Sequence, residues 1–151
     1  MPESFASRLL RWRFNFFPAY RGTGSRVTYV AADFREVRLI LPLNRRTRNY
    51  VGTIFGGSLY GAVDPLHMIL LMKILGPGYT VWDKAATIRF VKPGRSTLSA
   101  RVAIDEAEIQ TIRRMLETAS SIDRVYRADL SDADGLVHAS VEKTVYIRKN
   151  S

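Results

Sequence analysis

The chain of 151 residues contains no cysteine, which excludes disulfide bonds, thiolate zinc sites and a cysteine nucleophile. Acidic residues are also few, with 14 Asp and Glu against 23 Lys and Arg, so the formal net charge is +9. The lack of cysteine is typical of proteins in a reducing compartment, and we expect a cytoplasmic protein. We expect neither a bound metal nor a cofactor.

The positive charge is concentrated at the start of the chain. Residues 1–50 contain ten Arg against Glu3, Asp33 and Glu36, which leaves a charge of +7 in the first third. Such an excess favours an anionic partner, which could be a nucleic acid, a membrane surface or a phosphorylated small molecule. No RNA- or DNA-binding motif accompanies the charge, and we expect no nucleic-acid partner.

Two apolar segments resemble membrane signals without meeting their requirements. Near the start of the chain, Arg11 and Arg13 interrupt the run that a signal peptide needs. Residues 54–75 are apolar, but Asp64 and Lys73 would be costly inside a bilayer. We therefore expect no stable membrane insertion and interpret residues 54–75 as a buried helix of a soluble protein.

The composition is that of one ordinary globular domain. With 46% hydrophobic and 25% charged residues, the chain can form a single core, and we expect one domain over residues 1–151. Residues 1–20 form its N-terminal helical segment, in which residues 4–17 show the pattern of an amphipathic helix. We expect this helix to pack on the rim of the domain; the alternative is a helix that lies on a membrane surface.

The apolar periodicity predicts an α+β domain with one long helix, one short helix and five or six antiparallel strands. Asp105 and Glu108 are spaced as a capping box at the start of the short helix. The predicted elements are strands within 26–43, the long helix at 57–75, a hairpin at 86–104, the short helix at 105–119, and a last hairpin with strands at about 122–130 and 136–147.

The stretch NYVGTIFGGSLYGAVDP, residues 49–65, places Asp64 inside an apolar run. A buried carboxylate is costly unless another group pairs with it or uses it. Local rules leave two interpretations open. Asp64 and Pro65 could be the N-cap and first residue of a helix that begins there, without any chemical role. Alternatively, the helix begins at the double glycine and Asp64 is a functional carboxylate in its interior.

The double glycine itself suggests a binding function. Gly56 and Gly57 let another group approach the backbone closely. The free N–H groups of a first helical turn then point at that group, and the helix dipole favours partial negative charge there. Such an end can hold a carbonyl oxygen that becomes an oxyanion.

The spacing of Asn49, Gly52, Phe55-Gly56-Gly57 and Asp64 resembles the signature of hotdog-fold acyl-CoA thioesterases of the phenylacetate-pathway type. Most of the chain is still more similar to the DUF4442 branch of hotdog proteins, through residues 49–65 and the WDKAATIRFVKPGRS block at 82–96. The resemblance implies a central helix wrapped by a curved antiparallel sheet, plus a short extra helix. It also implies homodimers, which can pair into tetramers.

In such thioesterases the site lies between protomers, and the resemblance implies the role of each residue here. The N–H of Gly57 would bind the thioester carbonyl, and Asp64 from the facing protomer would act as general base or nucleophile. Asn49 would position water or substrate. A thiolate leaves readily, with a pKa of about 8.5, so a strong general acid is not required. Phe55 departs from the pattern, which has His at this position.

Other residues are weaker candidates. Asp83 falls where a related thioesterase clade has a water-positioning hydroxyl, and we include Asp83 and Lys84 among possible substrate-binding residues with Phe55, Gly56 and Met68. The alternatives are a surface Asp83–Lys84 pair and a core methionine. His67 could pair with Asp64 across one helical turn, but a packed core histidine is the simpler interpretation.

Basic side chains at Arg45, Arg46 and Arg48 and in the Lys92–Arg95 turn could bind the phosphates of coenzyme A, or could form a solvated face. The sequence therefore predicts an acyl-CoA thioesterase without cofactor. The alternative function is a hotdog protein that binds acyl-CoA or lipid without cleaving it.

Overall fold

A computed structural model describes all 151 residues, and they form a mixed α+β structure. Six strands make one antiparallel, curved sheet in the order β1-β2-β4-β5-β6-β3. The elements in chain order are α1 (Phe5–Phe16), α2 (Pro18–Gly22), β1 (Arg26–Val30), β2 (Glu36–Leu41), α3 (Gly56–Val63), α4 (Leu66–Leu75), β3 (Tyr79–Phe90), β4 (Leu98–Ala103), α5 (Glu106–Thr118), β5 (Ser121–Ser131) and β6 (Val137–Lys149).

The predicted long helix is present, but it is divided. Helix α3 begins at the double glycine and ends at Val63, and α4 continues from Leu66. The break occurs at Pro65, because proline has no N–H to continue the helical hydrogen bonds. By length and composition, the two helices together could cross a membrane. However, the sheet wraps them, and half of this apolar stretch is buried inside the protein. They are the core helix, as the sequence predicted.

The core lies between this helix and the inner face of the sheet. Strand residues alternate between buried and exposed, so that every second side chain of β2, β4 and β6 faces the helix. Because the sheet surrounds the helix, the helix carries apolar side chains in nearly all directions and lacks a polar face. Fully buried core side chains include Leu39, Leu66, Leu70, Leu71, Leu98 and Ile147.

The prediction of a hairpin at 86–104 is wrong. Strand β3 pairs with β6, whereas β4 pairs with β2 and β5, so the two strands are separated within the sheet. The residues between them cross over instead of turning back. Alternation of apolar residues predicts that a segment is a strand, but not which strand it pairs with.

The last hairpin and the short helix are confirmed. Strands β5 and β6 pair antiparallel along their length. The Asp105 side chain accepts a hydrogen bond from the backbone N–H of Glu108 at 2.8 Å, as an N-cap does. The predicted reciprocal bond is not made, because the Glu108 carboxylate accepts hydrogen bonds from Arg124 and Tyr126 instead.

The N-terminal helix α1 packs against β1 at one edge of the sheet. The Asn15 carboxamide bonds both backbone groups of Val27, donating to its carbonyl at 2.9 Å and accepting from its N–H at 2.8 Å. Phe14 packs edge-on against Tyr20 of α2, and both rings are buried. The N-terminal segment is therefore attached by polar bonds to the sheet edge and by apolar contacts to the core.

Candidate functional site

Asp64 lies at the break between the two parts of the central helix. It has helical backbone angles and ends α3, and no side chain caps the start of α4. The interpretation of Asp64 as an N-cap is therefore wrong. Its carboxylate instead accepts hydrogen bonds from the Tyr60 hydroxyl at 2.7 Å and from the Lys143 ammonium at 2.8 Å. The side chain remains 43% exposed, so one side of it is accessible.

Lys143 is the group that compensates Asp64. Its side chain is only 1% exposed and points from β6 to the underside of the helix break. The ammonium donates to the Asp64 carboxylate, to the Asp64 main-chain carbonyl and to the Asp83 carboxylate. A buried ammonium is stable only with such partners, so Lys143 requires the two carboxylates.

Asp83 also belongs to this group of charges. It lies within β3, at an irregularity between Asp83 and Ala85. Burial raises the pKa of the Asp83 carboxyl, and the bond to Lys143 opposes this effect. One of its oxygens is buried without a partner. Tyr60, Asp64, Asp83 and Lys143 are called the carboxylate cluster below.

Lys84 does not join the carboxylate cluster. Its ammonium forms an exposed ion pair with Asp123 of β5 at 2.8 Å. The expected surface pair of Asp83 with Lys84 is also absent, because Asp83 binds Lys143.

Tyr60 completes the cluster from one helical turn before Asp64. Burial and the neighbouring Asp64 raise the pKa of the Tyr60 hydroxyl well above its ordinary value, so it remains a donor. The Lys143 ammonium also lies 5.8 Å from the centre of the Tyr60 ring. The carboxylate of Asp64 is therefore held in place from two sides.

The double glycine begins α3, and the N–H of Gly57 has no acceptor within the protein. A Cβ atom at Gly57 would lie 2.4 Å from Cε1 of Phe55, and one at Gly56 would lie 3.2 Å from the Phe90 ring. Gly57 therefore leaves the space in which the Phe55 ring lies against the backbone, and the Phe90 ring lies close to Gly56. Phe55 itself is more than half exposed.

Asn49 lies in the loop that precedes α3. Its carboxamide donates to the Thr53 hydroxyl at 2.9 Å and accepts from the N–H groups of Val51 and Thr53 at 3.1 and 3.0 Å. These bonds fix the loop that leads into the double glycine.

A cavity of about 710 Å³ opens beside Asp64. It lies between α1 and α2 on one side and the helix break on the other, and nine of its 15 lining residues are hydrophobic. Met68 is part of the wall. The wall is formed by residues of α1 and α2 together with Thr23, Gly61, Asp64, Pro65, Met68 and Ile69.

His67 does not pair with Asp64. It is buried and stacks on Tyr126 of β5, with ring centres 4.9 Å apart. Burial, helped by the charge of Lys143, lowers the pKa of His67 to about 4, so the imidazole is neutral at pH 7. The interpretation as a packed core histidine is the one that the structure supports.

The two predicted basic segments lie next to each other. The Ile54 N–H donates to the Gly94 carbonyl at 2.9 Å, which joins the loop before α3 to the turn before β4. The side chains on these segments are exposed and form no ion pair; they are Arg45, Arg46, Arg48, Lys92 and Arg95.

Sequence reasoning missed Lys143 and Tyr60. A signal for Lys143 exists, because it occupies an inward position in β6 between Val141 and Val145, which are both fully buried. A lysine at such a position needs a buried carboxylate. Tyr60 lies four residues before Asp64 and therefore on the same helix face.

The sequence model of a family described as "Domain of unknown function (DUF4442)" matches residues 6–147. No curated protein matches the sequence. A solved structure of a protein of unknown function from Pseudomonas aeruginosa, called a probable thioesterase, is 20% identical over 99% of both chains, with a TM-score of 0.83.

Two further solved structures are similar. A protein of unknown function from Chlorobaculum tepidum is 18% identical over 96% of this chain and 95% of its own, with a TM-score of 0.75. A thioesterase from Haemophilus influenzae is 15% identical over 97% of this chain and 93% of its own, with a TM-score of 0.71. At these identities the likeness shows the hotdog fold.

Proposed function

Because the chain belongs to the DUF4442 family and has the hotdog fold, we propose that it hydrolyses an acyl thioester with Asp64 as general base. One observation carries the proposal. Asp64 is held from behind by Lys143 and Tyr60, and its accessible side lines an apolar cavity. A fixed carboxylate at the wall of an apolar cavity suits the attack of water on a bound acyl group.

The proposed reaction uses few groups. Asp64 takes a proton from water as the water oxygen attacks the thioester carbonyl carbon. The N–H of Gly57 donates a hydrogen bond to the resulting oxyanion. The C–S bond then breaks, the carboxylic acid is released, and the thiolate leaves without a strong acid because its pKa is about 8.5. Asp64 then gives its proton to the solvent and is ready for the next turnover. Asn49 contributes by fixing the loop that presents Gly57.

The site needs two copies of the chain. Gly57 and Asp64 are seven residues apart in the sequence, which places them about 10 Å apart along a helix. A thioester whose carbonyl oxygen binds Gly57 therefore lies away from Asp64 of the same chain, which has to hold the attacking water, so we propose a homodimer that combines Gly57 of one protomer with Asp64 of the other. The exposed edge of β3 and the neighbouring Phe90 support this arrangement. Pairing of such dimers would give the tetramer.

The substrate proposed is an acyl-CoA. The cavity of about 710 Å³ has the volume of a typical small-molecule binding site, so it can hold an acyl group, and its apolar wall favours a hydrocarbon. The joined basic segments carry Arg45, Arg46, Arg48 and Lys92 with free cationic ends, which can bind phosphates. Phe55 and Gly56 would border the thioester, and Asp83 would hold Lys143 in position. The exposed ion pair of Lys84 with Asp123 gives it no role in this proposal.

The test is release of free thiol from acyl-CoAs of increasing chain length, with wild type beside Asp64→Asn. We expect the variant to lose at least about 100-fold in kcat/KM, since asparagine cannot accept the proton. Asp123→Asn, which neutralises an exposed aspartate in an ion pair, is the matched control and should retain activity. Full activity of Asp64→Asn would contradict the proposal.

A non-hydrolysing acyl-CoA or lipid-binding protein is the second candidate. The observation that favours it is the Phe55 ring against Gly57, at the position where the resembling thioesterases have His. Saturable binding of an acyl-CoA without thiol release by wild type, at any chain length, would establish this alternative. Appearance of turnover in Phe55→His would then identify the ring as the reason.

A further inference from the structure

The outer face of α1 carries an apolar stripe that the fold does not use. Phe5, Leu9, Trp12 and Phe16 are spaced by four, three and four residues, which places them along one side of the helix. All four are exposed, between 39% and 84%. The opposite side carries the buried Ser7 and Phe14, which attach the helix to the domain. Four neighbouring exposed side chains of this size require a partner surface.

Cationic side chains border this stripe on both sides. Arg8 and Arg13 are exposed and flank it along the helix, and Arg21 of α2 is exposed nearby. None of the three forms an ion pair. Glu3, the acidic residue beside this helix, is already bound by Arg11 at 2.8 Å. The surface is therefore apolar along its centre and positively charged along its borders.

We propose that this surface docks on an anionic lipid bilayer, with α1 lying in the plane of the interface. Trp and Phe are suited to the boundary between headgroups and acyl chains, and flanking arginines bind anionic headgroups. Charge complementarity is the argument for this partner. A second copy joined through the same stripe about a two-fold axis would bring Arg8 and Arg13 of both copies together, which is unfavourable.

The position of the cavity agrees with a lipid surface. Trp12, Arg13 and Phe16 belong both to the α1 surface and to the cavity lining, and Phe17 continues the lining. A protein docked through α1 would place the cavity opening at the bilayer, from which a hydrocarbon chain could enter. This inference does not depend on hydrolysis, because docking is measured without substrate.

The experiment is co-sedimentation with vesicles of phosphatidylcholine alone and of phosphatidylcholine mixed equally with phosphatidylglycerol. We expect binding to the anionic vesicles to be at least about tenfold tighter, and to weaken as salt is added. Equal binding to both compositions, or no binding to the anionic vesicles, would overturn the proposal.

Paired variants distinguish binding through the α1 surface from non-specific adsorption to vesicles. Phe5→Ser combined with Trp12→Ser should abolish vesicle binding, whereas Val125→Ser, an exposed apolar residue on β5, should not. Arg8→Gln with Arg13→Gln should weaken binding at least about tenfold, whereas Arg113→Gln with Arg114→Gln on the other surface helix should not. Circular dichroism and thermal unfolding check that each variant is folded.

Fluorescence locates the contact. In a Trp82→Phe background, the remaining Trp12 emission should shift to shorter wavelength when anionic vesicles are added. An unchanged emission would overturn the proposed orientation of α1. If Phe5→Ser with Trp12→Ser instead changed the oligomeric state while vesicles had no effect, a second copy would be the partner of the stripe, and the membrane proposal would fail.

Discussion

The two edges of the sheet are treated in opposite ways. At β1 the edge is closed from within the chain, because Asn15 bonds both backbone groups of Val27 and Glu3 accepts from the Val30 N–H at 3.0 Å. At β3 the edge is open over 12 residues and pairs only with β6. The exposed aromatic side chains Trp82 and Phe90 lie on this open strand.

The difference indicates where a second copy belongs. Unpaired strand edges invite pairing with another chain, and proteins block the edges that must stay single. Here α1 blocks the β1 edge, while the β3 edge has no such cover and lies beside the start of α3, where Phe90 contacts Gly56. The open edge therefore adjoins the free N–H of Gly57, and the closed side carries the apolar cavity.

The largest effect is expected from a charge on the open edge. Ala86→Arg on β3 should convert the proposed dimer to monomer and reduce thioester hydrolysis roughly 1000-fold, because Gly57 and Asp64 then no longer meet across two chains. Light scattering and thiol release measure the two effects. Thr28→Arg on the closed β1 edge is the control; if it disrupted assembly equally, the two edges would not differ as described.

Acid should destabilise the protein through His67, which lies at neither edge of the sheet. The pKa of buried His67 is about 4, below its unfolded value of about 6.5, so the unfolded chain binds the extra proton first as pH falls. Stability is thus complete above pH ~6.5 and decreases by about 3 kcal/mol on reaching pH ~4. Urea unfolding across this range should show a flatter pH profile for His67→Gln; an identical profile would contradict the assignment.

Loss of the Asn15 bonds at the closed edge should lower the free energy of unfolding by less than protonation of His67 does. Asn15→Leu leaves the N–H and carbonyl of Val27 without their partner, and we expect the free energy of unfolding to fall by about 2 kcal/mol. Gln110→Leu on α5, an exposed position, should change it by less than about 0.5 kcal/mol. Urea denaturation measures both. A loss in Asn15→Leu no larger than in the control would show that α1 does not close the edge.

The smallest expected effect concerns the cavity beside the closed edge. Met68→Trp should fill part of the cavity and lower kcat/KM for long acyl chains by about tenfold relative to short ones. Met72→Trp, one turn further along α4 and exposed outside the cavity, is the matched control. Unchanged chain-length preference in Met68→Trp would mean that the acyl group binds elsewhere.

Local sequence patterns predicted most of the elements but not their arrangement. The central helix, α5 and the last hairpin follow from periodicity and capping residues, which act over a few positions. The partner of β3 did not follow, because strand alternation is the same whichever neighbour is chosen. Resemblance to a known family supplied the fold, and the structure confirms it.

The candidate site was predictable to a similar extent. Asp64 and the double glycine were found because a carboxylate and paired glycines are unusual in an apolar run. Lys143 was missed because its partners are 79 and 60 residues away, and no local pattern connects residues at such separations. The role of Asn49 in its own loop was likewise visible only from the hydrogen bonds of the folded chain.

The burial of Lys143 also has a consequence for protein synthesis. The lysine follows Asp64 by 79 residues and Asp83 by 60 residues, so both carboxylates leave the ribosome well before it. Until β6 docks, Asp83 has no ammonium to compensate it, and burying its carboxylate would be costly. The nascent chain should therefore keep its central helix accessible to chaperones and proteases until β6 has been synthesised.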